Sequence, residues 1–207
     1  MKTFRTALMA TAVLTVLTGI VYPIAVWGIA QVIFPSQAGG SLIVAGNKVV
    51  GSSVIGQNFS SPKYFQPRPS AAGDKGYAAD NSGGSNLGPT NKALIDAVKL
   101  RLKNVVESNP GTDAHQIPVD LVTASASGLD PEISPAAADL QIARVARARG
   151  LSEDQVRQLI AENTRPRSVG IFGEPGVNVL LLNLALDRTT GSHSARAAGS
   201  HGGTPGT

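Results

Sequence analysis

The sequence offers few side chains for nucleophilic or metal chemistry. It has no cysteine and three histidines, and only His115 lies away from the C-terminal end. A Ser-His-Asp triad needs an imidazole beside its nucleophile, and zinc sites are built from several Cys, His or carboxylate ligands. We therefore assign no catalytic residue and no metal ligand from the sequence.

One short pattern does match a catalytic motif. Ser60-x-x-Lys63 has the spacing of the serine–lysine pair of penicillin-recognising enzymes. That chemistry needs a helical turn, which Pro62 disfavours, and no Lys-Thr-Gly sequence follows. A membrane-anchored serine hydrolase that uses Ser60 and Lys63 is therefore the alternative to a non-catalytic protein.

Serine and glycine are concentrated between Ser82 and Pro89. Gly83 and Gly84 permit close backbone approach, and a helical pattern begins at Pro89. The free amides and positive dipole of a helix start are the ingredients of an anion site. The segment lacks the lysine of a P-loop, so three interpretations stay open: a turn at a helix entry, a protein contact and a phosphate site.

Two polar residues share one face of a later predicted helix. Gln141 and Arg144 are three residues apart, so their side chains project in similar directions. They are candidates for a polar contact with a partner. The other interpretation is a solvated helix face, which would also carry Asp139 and Arg147.

The elements that must position these residues follow from periodicity and from capping signals. The order β-β-loop-α-β-α-α-β predicts one α/β (α+β) domain over residues 35–187. Beyond it, residues 188–207 lack periodicity and are predicted to be a disordered tail. The predicted elements are strands at Ser41–Val44, Lys48–Ile55, Ile117–Thr123 and Val177–Leu186, a loop at Ser60–Gly88, and helices from Pro89, after Ser134 to Arg149, and after Ser152 to Asn163.

The N-terminal part predicts a single transmembrane helix over residues 6–34. From Thr6 to Phe34 there is no charged residue, and a helix of that length, about 42 Å, exceeds a hydrocarbon core of about 30 Å. Lys2 and Arg5 precede it, whereas the segment after it starts without a basic residue. The positive-inside rule then places residues 1–5 in the cytoplasm and the folded domain outside it.

The overall charge does not indicate a nucleic-acid-binding protein. The formal net charge is +4, from 18 basic and 14 acidic residues. Four of the basic residues lie at the ends, which leaves a body of 14 basic and 14 acidic residues. A neutral body lacks the basic surface on which nucleic-acid binding depends. The terminal basic residues are Lys2, Arg5, Arg188 and Arg196.

Several motifs in series resemble one family. Over residues 5–187 the chain is similar to the C subunit of the bacterial Kdp potassium-transporting P-type ATPase, the KdpC family. The series is more specific than any one of its parts. The segments that carry the resemblance are Gly51–Phe59, Tyr64-Phe65, Arg68–Ala71, Ser82–Leu87, Val119–Asp130, Ile133–Ala137, Gln141-x-x-Arg144 and Val177–Asp187.

The resemblance implies a non-catalytic accessory subunit of the bacterial inner (plasma) membrane that assembles and stabilises an ATP-driven potassium importer. Its implied partners are a channel-like potassium-binding subunit, a P-type ATP-hydrolysing subunit, a small peptide subunit and the lipid bilayer. Those subunits would handle potassium and ATP, so no cofactor is expected on this chain. The residues expected to contact partners are Pro23, Asn86, Gln141 and Arg144.

The family resemblance also implies a role as a catalytic chaperone that raises the ATP affinity of the hydrolysing subunit. The nucleotide candidates on that view are Gln57, Ser82, Gly83, Gly84 and Ser85. This role conflicts with the predicted orientation, because ATP is cytoplasmic and these loops are expected outside.

Overall fold

The computed structural model describes the backbone of residues 2–199 and the side chains of residues 2–190. It divides into two compact units, Met1–Ser52 and Ser53–Thr207. The boundary lies later than residue 35, where the soluble domain was predicted to begin. The reason is that the first two strands pair only with each other, in a sheet of their own.

A long helical segment fills the start of the first unit. It consists of α1 (Lys2–Val16), a π-helical turn (Leu17–Val21) and α2 (Tyr22–Ile33). Together they are long and apolar enough to cross a membrane once. The π-helical turn ends at Val21, two residues before Pro23, whose missing amide interrupts the normal hydrogen-bond ladder of the helix.

A short hairpin completes this unit. After α3 (Pro35–Ala38), β1 (Leu42–Ala45) pairs antiparallel with β2 (Lys48–Ser52), and Val50 of β2 is an extra residue between the partners of Ile43 and Val44. Both strands were predicted. The turn between them contains Gly46 at φ +62°, a conformation that glycine adopts without strain.

The second unit begins with an irregular segment, residues 53–91, which contains neither helix nor strand. It leads into α4 (Lys92–Ser108). The predicted helix start at Pro89 is too early, because the Asn91 side chain accepts a hydrogen bond from the amide of Ala93 and so forms the N-cap.

Helices α5 (Pro135–Arg149) and α6 (Glu153–Glu162) match the predicted capping signals. Ser134 caps α5, Gly150 ends it in the left-handed region, and Ser152 with Gln155 forms a capping box for α6. Both helices pack their apolar faces into one core with α7. The central core residues are Phe65, Ile133, Val145, Val156, Val177, Leu182 and Leu186.

Two strand predictions are wrong. Residues 117–123 contain a 3₁₀ turn, Val119–Leu121, in place of a strand. The apolar run from Val177 forms only the end of β5 (Gly176–Asn178) and then helix α7 (Val179–Gly199). A uniformly apolar run does not distinguish a buried strand from a buried helix. The side chain of Asn178 starts the helix by accepting a hydrogen bond from the amide of Leu181.

The sheet of the second unit is small. Its order is β3–β5–β4, all antiparallel, with β3 at Glu132–Ile133 and β4 at Thr164–Arg165. The predicted mixed α+β architecture is confirmed, although helices dominate it. Helix α7 extends to Gly199, past residue 188, where the disordered tail was predicted to begin. Residues 200–207 lie outside the described part of the chain.

Candidate interaction site

Part of the irregular segment is held against the helices by side chains that bond to its backbone. We call residues 62–66 the strap. Gln141 on α5 accepts a hydrogen bond from the amide of Gln66 at 2.8 Å and donates to its carbonyl at 3.1 Å. The Gln141 side chain is only 1% exposed. Its amide therefore takes the place of a strand partner for the strap.

Arg144 makes a second set of bonds to the strap. Its Nη1 donates to the carbonyls of Pro62 at 2.7 Å and Tyr64 at 2.9 Å, and its Nε donates to Asn109 at 3.0 Å. Its Nη2 also donates to the Gln141 side chain. Burial lowers the pKa of Arg144 to about 10, which leaves the guanidinium charged at neutral pH.

Two residues that sequence reasoning missed complete the arrangement. Asn183 on α7 is 1% exposed and bonds the amide and carbonyl of Phe65 at 2.8 and 3.0 Å. Arg149 donates to the carbonyl of Lys63 at 2.6 Å and lies over the Tyr64 ring. In the sequence, the role of Asn183 could have been inferred from its position as a polar residue inside an otherwise apolar run.

These contacts correct one interpretation. Gln141 is buried, so a role as a surface contact for a partner is wrong in this fold. Arg144 is only partly buried, but it makes four hydrogen bonds within this chain. The solvated-face alternative is wrong for Gln141 as well. Both residues position the strap.

A second cluster forms around residues 126–130, which we call the central loop. Gly56 donates its amide to Leu129 at 2.8 Å, and Gly83 donates its amide to Ser127 at 2.9 Å. The two segments that carry the nucleotide candidates, around Gln57 and Ser82, therefore border the same loop. Further bonds come from Ser82 to Ser127, Ser70 to Gly128, and Arg68 to Asp130.

Close packing explains the glycines of this cluster. A Cβ on Gly84 would lie 2.9 Å from the carbonyl oxygen of Ala126, and one on Gly128 would lie 2.5 Å from that of Gly83. Real Cβ atoms do not approach backbone oxygen that closely. Gly84 and Gly128 thus let two stretches of backbone pack together, which accounts for Gly84 of the Ser-Gly-Gly sequence without a ligand.

The phosphate site, one of the three interpretations of residues 82–89, does not have the geometry of a helix entry. Helix α4 starts at Lys92, well after Ser85, and Asn91 already caps its first turn. Ser85 and Asn86 are exposed, and Asn86 adopts a positive φ of 53°. Asn86 is consequently the candidate contact residue that the fold presents at the surface of this unit.

The serine–lysine alternative is not supported by local structure. Residues 61–64 form a turn in which the amide of Tyr64 donates to the carbonyl of Ser61 at 3.1 Å. Ser60 and Lys63 are exposed and lie outside any helix. Among the described residues, no group of three His, Cys, Asp or Glu side chains could hold a metal ion.

A polar cleft of about 510 Å³ lies between the irregular segment and α4. Arg68, Tyr77 and Arg101 are among its lining residues. Burial raises the pKa of Tyr77 to about 12, with Arg101 acting in the opposite direction. The neutral Tyr77 hydroxyl donates to the carbonyl of Arg68, so it is used to hold this segment in place.

Comparison with known proteins decides the family. The family model described as "K+-transporting ATPase, c chain" matches residues 4–188. The chain belongs to the KdpC family. The Potassium-transporting ATPase KdpC subunit of Variovorax paradoxus is 60% identical over 183 residues, which cover 88% of this chain and 94% of that protein. The similarly named subunit of Rhodospirillum rubrum is 57% identical over 187 residues, covering 90% and 96%.

A third relative, from Koribacter versatilis, is 54% identical over 188 residues and covers 91% of this chain and 95% of its own length. It too is named a Potassium-transporting ATPase KdpC subunit. The family resemblance of the sequence motifs is therefore confirmed. The matched region includes the apolar helix, the strap and the central loop of this KdpC family member.

The neighbouring glycines Gly83 and Gly84 provide a matched test of the packing role. Gly84→Ala should destabilise the fold by about 1–3 kcal/mol, because the new methyl group overpacks against the Ala126 carbonyl. Gly83→Ala should have little effect, since the methyl group added there would meet no atom within 4 Å. Thermal unfolding of the full chain in detergent measures both. Equal stability of the two variants would contradict the packing role.

Arg144→Ala should destabilise the fold by about 3 kcal/mol, because the strap carbonyls lose a charged donor in a partly buried place. Arg144→Lys should recover little, since an ammonium cannot reproduce the planar fork. Arg147→Ala, at an exposed position of the same helix, is the control. Chemical denaturation of the full chain measures the three variants, and full rescue by lysine would contradict this account.

Proposed function

We propose that this KdpC family member is a non-catalytic accessory subunit that assembles and stabilises an ATP-driven potassium importer. The observation that carries the proposal is the family match, which covers residues 4–188 and so includes most of the apolar helix and most of the second unit. The relatives are named potassium-transporting ATPase subunits, which supports an importer as the host complex. The proposed partners are its channel-like, ATP-hydrolysing and small peptide subunits.

The use of polar side chains inside the fold supports a non-catalytic role. Gln141, Arg144 and Asn183 hold the strap, and Ser82 and the glycines near it hold the central loop. Each of these groups has a structural task in the folded chain. We propose that ATP and potassium are bound by other subunits and that this chain carries no cofactor.

We propose that the N-terminus is cytoplasmic and that the folded unit lies outside the cytoplasm, in a bacterial inner membrane. Lys2 and Arg5 at the start of the helix support this orientation. The chaperone role toward ATP would require Gln57 and residues 82–85 to reach the cytoplasm. The proposed orientation of the chain therefore argues against the chaperone role. Pro23 within the helix and Asn86 on the surface are the proposed contacts with partners.

Extraction of the membrane in a gentle detergent tests the accessory role. A C-terminally tagged chain should co-purify with an ATP-hydrolysing subunit and a channel-like subunit, identified by mass spectrometry. Ser60→Ala and Lys63→Ala should co-purify equally well and should support growth in potassium-limited medium, because neither residue is assigned a function. Recovery of the chain alone would contradict the proposal, and loss of growth in both variants would favour the hydrolase.

Protease added to intact spheroplasts tests the orientation. The folded unit should be digested from outside, because its exposed loops such as residues 85–88 face the added enzyme. A cytoplasmic marker protein should stay intact as the control for membrane integrity. Protection of the folded unit in intact spheroplasts, with digestion only after lysis, would contradict the orientation and would revive the ATP-related role.

A further inference from the structure

An exposed apolar loop projects between β4 and β5. We call residues 168–173 the apolar tip. It carries Val169, Ile171 and Phe172, which are 89%, 72% and 69% exposed. Single exposed apolar residues are common on protein surfaces, but three large ones within four positions form a patch that usually marks an interaction site.

The tip has a defined backbone shape. Ser168 and Phe172 exchange two backbone hydrogen bonds of 2.8 and 2.9 Å, and Arg167 pairs with Glu174 at 2.6 Å across the base. Val169 has a φ of +55°, in the left-handed region that β-branched residues avoid. The two backbone hydrogen bonds and this φ define one backbone shape for the tip, at a cost in free energy.

The charges beside the tip are paired within the chain. Arg165 makes two bonds to Glu132, at 2.8 and 2.6 Å, and Arg167 pairs with Glu174. Membrane-surface segments combine apolar groups with a surplus of basic residues that attract anionic lipid, whereas Glu132 and Glu174 neutralise both arginines here. The surface that complements this tip is therefore uncharged and apolar. A fixed backbone shape also favours a shaped protein socket over a fluid bilayer.

The small area of the tip limits the kinds of partner that the tip can bind stably. A stable interface between two free proteins buries about 800 Å² on each side, more than three side chains supply. A small aromatic anchor can still contribute much of the binding energy when other contacts hold the partners together. The apolar helix of the same chain would supply such a tether by raising the effective concentration of membrane-bound partners.

We propose that the apolar tip inserts into an apolar socket on another polypeptide subunit of the transporter complex. This proposal rests on the proposed accessory function and adds the surface that makes the contact. Phe172 is the anchor, Ile171 and Val169 enclose it, and the two ion pairs at the base hold the loop in the shape that the socket receives.

Photocrosslinking in the intact complex tests the proposal. The full chain with benzoylphenylalanine in place of Phe172 is irradiated in cells, and the adducts are identified by mass spectrometry after purification. The same probe at Val119, which is 69% exposed on the 3₁₀ turn, is the control. An adduct at position 172 with another subunit of the complex, absent from position 119, would support the proposal.

Adducts with lipid, adducts with a second copy of this chain, or no adduct from a recovered complex would each overturn it. If the unsubstituted chain recovers no partner subunit at all, the accessory function itself fails. If that chain recovers its partners and only the crosslink to a subunit is missing, the accessory function stands and the tip proposal fails alone.

A substitution provides a second readout. Ile171→Asp should weaken retention of partner subunits about tenfold during detergent washing, because the new carboxylate would be buried in an apolar socket. Val119→Asp should leave retention unchanged. Thermal unfolding of both variants checks that the fold is intact. Unchanged retention in a folded Ile171→Asp variant would overturn the proposal.

Discussion

The fold of the second unit depends on how the backbone of an irregular segment finds hydrogen-bond partners. Residues 53–91 contain no helix or strand, so their buried amides and carbonyls must bond to other groups. Buried side chains provide these partners at the strap, with Gln141 and Asn183 each bonding both polar groups of one residue. The carboxamides of Gln141 and Asn183 thus provide the backbone hydrogen bonds that a neighbouring strand would otherwise provide.

This constraint explains why the helices and the irregular segment form one unit. Phe65 lies in the strap and is fully buried in the core to which α5 and α7 also contribute residues. Its side chain adds apolar burial at the place where its backbone is held by Asn183. The central loop is packed differently, with Gly84 and Gly128 allowing backbone to approach backbone. Polar side chains at the strap and glycines at the central loop therefore both allow the backbone of the irregular segment to pack closely within the fold.

The arrangement separates residues that build the fold from residues that remain at its surface. Gln141, Arg144 and the Ser-Gly-Gly segment have the chemistry of binding groups, yet the fold uses them internally. The tip between β4 and β5 has no such chemistry, but its apolar side chains are exposed and its backbone is fixed. In an accessory subunit, a shaped apolar surface of this kind is a means of recognition that needs no catalytic group.

Local rules determined much of this protein from its sequence. The apolar helix, the first hairpin and the caps at Ser134 and Ser152 follow from short-range patterns, and the motif series identified the family. Only the tertiary structure decided that the run after Val177 becomes a helix, because a uniformly apolar pattern fits either element and Asn178 caps the turn. It also decided the role of Gln141, since a three-residue spacing shows a shared helix face but not what covers it.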